Sequence, residues 1–174
     1  MRLLRPIATG PGPKLLQELE LSIGPMKARL YRPALGVLPI ILHLHGGGWV
    51  VGDLDSHQPF CRALAKATGA IVVDLEYRLA PEHRAPAAVD DAVAALLWLN
   101  AHAAELGADG SRIAVVGDSA GGHLAVWAAL RSPDRVRALA LIYPAVAAEL
   151  TTGSHLTFAS GYALTAARMR WYWH

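Results

Sequence analysis

The sequence predicts an α/β fold, a mostly parallel, doubly wound sheet, and three observations carry that expectation. Nearly continuous apolar runs of strand length occur at Leu38 to Leu44, Ala70 to Leu75 and Arg112 to Val116, as strands buried on both faces require. Between them lie stretches with helical spacing and short connections, which together make β-α-β units with right-handed crossovers. The third observation is local. The run from Arg112 enters Gly117-Asp118-Ser119-Ala120-Gly121, a G-x-S-x-G pattern placed between a strand and a helix. With 53% apolar residues in 174, the chain can cover a sheet on both faces.

Taken in order, residues 1–16 read as a flexible lead-in, because Gly10-Pro11-Gly12-Pro13 fits neither helix nor central strand. Glu18 to Ile23 and Lys27 to Tyr31 alternate polar and apolar residues around a turn at Gly24-Pro25, the pattern of an antiparallel hairpin at a sheet edge. Leu38 to Leu44 follows as a buried strand and runs into His45-Gly46-Gly47-Gly48-Trp49. Ser56 is placed to cap a helix with Phe60, Ala63, Leu64 and Ala67 on one stripe, ending at Gly69. After the strand Ala70 to Leu75, a loop over Glu76 to Glu82 leads to Pro86, which opens a helix striped by Val89, Val93, Leu96 and Leu97. Asp109-Gly110 turns the chain into the strand before Ser119. The helix beyond is lined by Ala120, Gly121, Ala125, Ala128 and Ala129, small enough to lie close on a sheet, and stops at Ser132-Pro133. Arg137 to Tyr143 is a further strand and Thr165 to Trp173 a last helix. No linker divides the chain, so residues 1–174 read as one partial α/β domain, expected to be incomplete at the C-terminus, with its last parallel strand left as an edge. Such an edge favours association, and a homo-oligomer through it is one expectation.

Composition removes several classes of function. A net charge of +2 without any run of basic residues gives no reason to expect nucleic acid. The single cysteine, Cys61, excludes an internal disulfide and reads as a buried small hydrophobe. Neither a signal-type apolar segment nor a run of 18 apolar residues occurs, so a cytoplasmic protein without a membrane span is expected.

In a doubly wound sheet, ligands bind beyond the carboxyl ends of the strands, where three loops fall: His45 to Asp53, Glu76 to Glu82, and the Ser119 turn. Ser119 in a sharp strand-to-helix bend is a nucleophile candidate, with its hydroxyl exposed by the turn. The glycine run frees backbone N–H groups that can stabilise an oxyanion, and Ala120 N–H at the helix start is a third donor. Asp118 reads as exposed and orienting a neighbouring loop, and His45 as a hydrogen-bonding support. Tyr77, Arg78 and Glu82 read as a polar network bracing the loops. His43 and His45 share one strand face, but no third ligand follows at metal spacing, so no zinc site is expected. A rival reading takes Gly46, Gly48 and Gly52 as a dinucleotide-binding loop with Asp74 as the ribose acceptor, a Rossmann-like unit. Against it, Trp49-Val50-Val51 is bulky and the first helix cap comes late.

Three motifs in order, His45-Gly-Gly-Gly48-Trp49, Tyr77-Arg-Leu-Ala-Pro-Glu82 followed by Pro86-Ala-Ala-Val-Asp90-Asp91, and Gly117-Asp-Ser-Ala-Gly-Gly122, resemble the hormone-sensitive-lipase-like (GDXG) esterases of the α/β-hydrolase fold. The resemblance runs from about Leu30 to the last residues, including Gly161 to Thr165 and Met169 to Trp173. It implies Ser119 as nucleophile, oxyanion donors at Gly47, Gly48 and Ala120, and cofactor-free hydrolysis of short- to medium-chain carboxylic esters, small-molecule substrates. It further implies a catalytic Asp and His on strands and loops after the elbow, beyond the sequence given, and extra N-terminal helices in most members. Asp134 falls at the wrong end of the sheet to replace them, and His155 is the one local candidate base. A second implication of the same family is a catalytically inactive, receptor-like binding protein, as the plant gibberellin receptors are.

Overall fold

The computed structural model describes residues 10–174, so most of the lead-in read over residues 1–16 lies outside the described residues. Its contacts divide the chain into a unit ending at Pro144 and a second unit, Ala145–His174. The first unit holds a six-stranded sheet. β1 (Gln17–Ile23) and β2 (Met26–Arg32) form the expected hairpin, with Ile23 opposite Met26 at its turn. β3 (Leu38–Leu44) is followed by α1 (Gln58–Thr68) and β4 (Ile71–Glu76). Then come α2 (Ala87–His102), β5 (Ala108–Asp118), α3 (Ala120–Arg131), a 3-10 turn at Pro133–Arg135, and β6 (Ala138–Ile142). The strand order is β1-β2-β4-β3-β5-β6. β2 is antiparallel to β4, whereas β4, β3, β5 and β6 run parallel.

Two apolar clusters show which face each helix covers. On one face Ile40, Leu42 and Leu44 of β3, Val73 and Leu75 of β4, and Ile113 and Val115 of β5 pack with Ala92, Ala95, Leu96 and Leu99 of α2 and Leu124, Ala125 and Ala128 of α3. On the other face Ile41, Val72 and Val116 pack under Cys61 and Ala65 of α1. The alternation follows from the strand period of two, which sends neighbouring side chains to opposite layers. It makes a three-layer sandwich with every central strand covered on both sides.

Several helix details depart from the sequence reading. Ser56 does not cap α1; its hydroxyl and N–H are held by Asp53, and the capping position is His57. The buried line of α1 is Cys61 and Ala65, while Ala63 and Ala67 face solvent. On α2, Val89 and Leu96 are buried as the spacing implies, but the buried stripe also takes in Ala88, Ala92, Ala95 and Leu99, and Leu97 is exposed. Both shifts share a cause: alanines mark the side that lies closest to the sheet, and larger residues flank it. β5 begins at Ala108, ahead of the Asp109-Gly110 turn, and reaches its neighbour β3 through a register shift between Leu38 and Ile40.

The second unit contains α4 (Gly153–Thr157) and α5 (Ala166–Trp173). Thr165 caps α5 by accepting the Arg168 N–H at 3.2 Å, as the final helix read from the sequence implies. His155 lies on α4, with its Nδ1 2.7 Å from the Thr152 hydroxyl. No helix among the described residues is long and apolar enough to cross a membrane.

Candidate active site

Register brings the predicted loops together. Leu44 of β3 stands beside Gly117 of β5, so the glycine loop leaving β3 and the turn leaving β5 emerge side by side at the carboxyl edge of the sheet. Ser119 occupies that turn with φ 50° and ψ −117°, a strained combination for a residue with a side chain. The bend is pinned at both ends, by Ser119 N–H donating to Ile142 O at 2.9 Å and by His123 N–H donating to Ser119 O at 3.2 Å. Its hydroxyl does not cap α3, which removes the capping explanation for a serine at this position.

Close approach explains the glycines. A Cβ on Gly121 would lie 1.8 Å from Leu44 O, so only a residue without a side chain lets α3 start flush against β3. A Cβ on Gly46 would lie 2.1 Å from the Asp118 carboxylate. That carboxylate accepts the Gly46 N–H at 2.9 Å and thereby ties the glycine loop to the elbow. Asp118 thus orients a neighbouring loop, as read from the sequence, but it does so from a buried position; the bend folds it inward beneath the loop.

Beyond Gly46 the loop turns through Gly47, Gly48 and Trp49 with φ of 129°, 62° and 61°. Val50 and Val51 donate to Gly47 O at 3.2 and 3.1 Å, Ala80 N–H donates to Trp49 O at 2.8 Å, and the Trp49 ring stands edge-on to His123 at 5.2 Å. Among the described residues the N–H groups of Gly47, Gly48 and Ala120 have no hydrogen-bond acceptor. These are the three donors singled out from the sequence. Ala120 N–H adds the positive end of the α3 dipole.

Tyr77 and His45 brace the loop from below. The Tyr77 hydroxyl donates to His45 O at 2.7 Å, the two rings stack at 4.3 Å, and His45 Nδ1 lies 2.8 Å from Gly46 O. Burial, reinforced by Asp118 and Asp74, pushes the Tyr77 phenol well above its ordinary range, so it remains a donor. Burial lowers the His45 value, which fits a neutral support. Arg78 grips the buried Asp91 carboxylate through both Nε and Nη2, at 3.0 and 2.7 Å, tying the loop after β4 to α2. With Lys27, Gly52, Glu76 and Glu82, Tyr77 and Arg78 also line an open groove of about 420 Å³ beside the hairpin turn.

The sequence did not disclose the polar cluster under the loop. On the α1 face, His43 Nδ1 meets Asp74 Oδ1 at 2.8 Å, Cys61 Sγ lies 3.4 Å from the same nitrogen, and His57 Nε2 lies 3.4 Å from Asp118 Oδ1. Burial pushes the Asp118 carboxyl upward, but the His57 and His43 imidazoles and the Gly46 N–H outweigh it and hold the value below the usual range. Sequence spacing offered His43 no partner because its partners come from another strand and a helix. Asp74 is fully buried in this cluster, and α1 begins only at Gln58, ten residues past Gly48, so neither the ribose acceptor nor the helix start of a dinucleotide site is in place.

A mainly parallel sheet with helices on both faces and a strained serine turn beside a glycine loop is the architecture of the α/β-hydrolase class. Residues 41–174 match the alpha/beta hydrolase fold family, and the chain belongs to it. It is 40% identical over 177 aligned positions to the carboxylic ester hydrolase LipN of Mycobacterium tuberculosis, covering 93% of this chain and 47% of that protein. It is 47% identical to the carboxylesterase NlhH of the same organism, covering 82% of this chain and 49% of NlhH. Among solved structures, the hyperthermophilic esterase from Pyrobaculum calidifontis superposes with a TM-score of 0.86 at 42% identity, over 91% of this chain and 55% of that one. The chain therefore spans about half the length of the curated relatives it matches.

Proposed function

We propose that this chain carries the nucleophile half of a carboxylic ester hydrolase, with Ser119 as the attacking residue. The observation that carries the reading is the Ser119 elbow, strained at φ 50° and lying beside three acceptor-free backbone donors. Ser119 Oγ attacks the acyl carbon of a small ester. The N–H groups of Gly47, Gly48 and Ala120 take the charge that develops on the carbonyl oxygen, the alcohol leaves, and water then hydrolyses the acyl-enzyme. Each such donor contributes about a hundred- to a thousandfold in rate. No side chain hydrogen bonds to Ser119 Oγ among the described residues, and in this proposal the proton passes to the histidine that the family places after the elbow.

The names of LipN and NlhH support the ester class, and the resemblance to the GDXG esterases implies short and medium acyl chains. The test is turnover of p-nitrophenyl acetate and butyrate by the complete gene product and its Ser119→Ala variant. Hydrolysis should vanish in the variant, and activity that survives the substitution would refute the nucleophile.

A further inference from the structure

We infer that His43, Cys61 and Asp74 form a site for a thiophilic divalent cation of the size of zinc, buried beneath the glycine loop. His43 and Asp74 are register partners on adjacent parallel strands and point to the same face. α1 packs on that face and lowers Cys61 onto them. The three donor atoms, one nitrogen, one sulfur and one oxygen, lie within 4.8 Å of one another, and all three residues are fully buried. Zinc bonds of about 2.0 Å to nitrogen and oxygen and about 2.3 Å to sulfur place tetrahedral ligands roughly 3.3 to 3.6 Å apart. The observed 3.4 Å between Sγ and Nδ1 already fits. The 2.8 Å between Nδ1 and Oδ1 needs to open by only about half an ångström.

Two further observations point to a cation rather than to a self-contained hydrogen bond. Asp74 Oδ2, on the carboxylate whose Oδ1 faces His43 Nδ1, is buried without a hydrogen-bond partner among the described residues, and an ion held by both carboxylate oxygens satisfies it. Orphaned buried polar atoms are costly, and a carboxylate oxygen left so is a ligand in waiting. The second is charge. Asp74 and Asp118 are both buried on this face, and the groups against them are imidazoles, a thiol and a phenol. Arg29, the guanidinium on this side, reaches the Tyr31 hydroxyl and bonds to Asp55 at 2.8 Å and to Leu54 O at 3.2 Å, and it forms no ion pair with Asp74 or Asp118 among the described residues.

A divalent ion balances the ledger of protons and charge. It displaces the thiol proton of Cys61 to solvent, while the His43 proton moves from Nδ1 to the free Nε2, which faces Asp118 Oδ1 at 4.0 Å. Ion, thiolate and carboxylate then sum to zero. An unliganded thiol is protonated at neutral pH and binds the ion as thiolate, so one proton is released per ion. Tyr31, which is fully buried and packs in the same cluster as Cys61, is the candidate fourth donor.

Cadmium and zinc salts, added to the folded chain and also during refolding from urea so that slow entry cannot mask binding, provide the test. Because the chain has one cysteine, a thiolate-to-cadmium absorption band in the ultraviolet can report only Cys61. The band should saturate at one ion per chain, with one proton released and a thermal midpoint that rises with free zinc. Cys61→Ser should abolish the band, and His43→Gln and Asp74→Asn should each weaken affinity at least tenfold. Absence of band and midpoint shift by both routes would overturn the site. So would a band of unchanged affinity in both His43→Gln and Asp74→Asn, which would mark a thiol binding metal on its own. These readouts do not involve ester turnover and stand apart from the role of Ser119.

Discussion

Gly121→Ala tests whether the elbow depends on contact between backbones. The new Cβ would lie 1.8 Å from Leu44 O and 2.6 Å from His45 O, whereas ordinary contact begins at 3.4 Å. Both obstacles are main-chain carbonyls of a central strand and its exit, so no rotamer relieves them and α3 must lift by more than an ångström. Overpacking a core costs about 1 to 3 kcal/mol when side chains can shift, and here about 3 kcal/mol or more is expected. Alanine gains back at most about 1 kcal/mol as a better helix former. The net loss is about 2 kcal/mol, and with a urea slope near 2 kcal/mol per molar the midpoint falls by about 1 M. Circular dichroism of urea titrations measures this, with Gly153→Ala, whose Cβ would enter open space, as the control. An unchanged midpoint for Gly121→Ala, with an unchanged slope, would show that α3 is not seated as described.

Two other outcomes follow from named contacts. Tyr77→Phe removes the hydroxyl that donates to His45 O at 2.7 Å and leaves that carbonyl without the bond; a loss of about 1 to 2 kcal/mol in urea stability is expected, and no loss would mean the bond does not hold the loop. His123 is held below the ordinary histidine value by burial, and its Nε2 accepts the Trp127 indole N–H at 3.0 Å, which requires an unprotonated nitrogen. The folded state then binds fewer protons than the unfolded one. Its contribution to stability is thus present above about pH 6.5 and lost as pH falls from there through the lowered folded value. A proton NMR titration of the His123 ring should show a midpoint below about 6.5, and one at or above that value would contradict the assignment.

The sheet was legible because each of its signals is local. Alternation at Glu18 to Ile23 and at Lys27 to Tyr31 states a half-buried hairpin, and Leu38 to Leu44 matches its strand residue for residue. The serine turn was equally plain, since glycine spacing around Ser119 records backbone contacts that tolerate no side chain. Less legible was anything set by docking. Whether Ser56 or His57 occupies the cap of α1 depends on the Asp53 turn capturing the Ser56 hydroxyl first. That Asp118 is buried depends on the glycine loop closing over it. The meeting of His43, Cys61 and Asp74 depends on a cross-strand register and on the seat of a helix, neither of which leaves a spacing in the sequence.

The two faces of the sheet divide their duties. The face under α2 and α3 is lined by aliphatic side chains, whereas the face under α1 carries the histidines and carboxylates that support the glycine loop. Both kinds of side chain hang from the same strands, one residue apart. A mutational library over the carboxyl-terminal halves of β3, β4 and β5, beyond the apolar Ile41, Val72 and Val116 of the α1 face, should therefore separate by parity into two populations. Changes at Leu42 or Val73 would be tolerated according to volume alone, while changes at His43, Asp74 or Asp118 would be judged by polarity. The chain thus keeps its options for new chemistry on alternate residues, where they can vary without reopening the hydrocarbon core behind them.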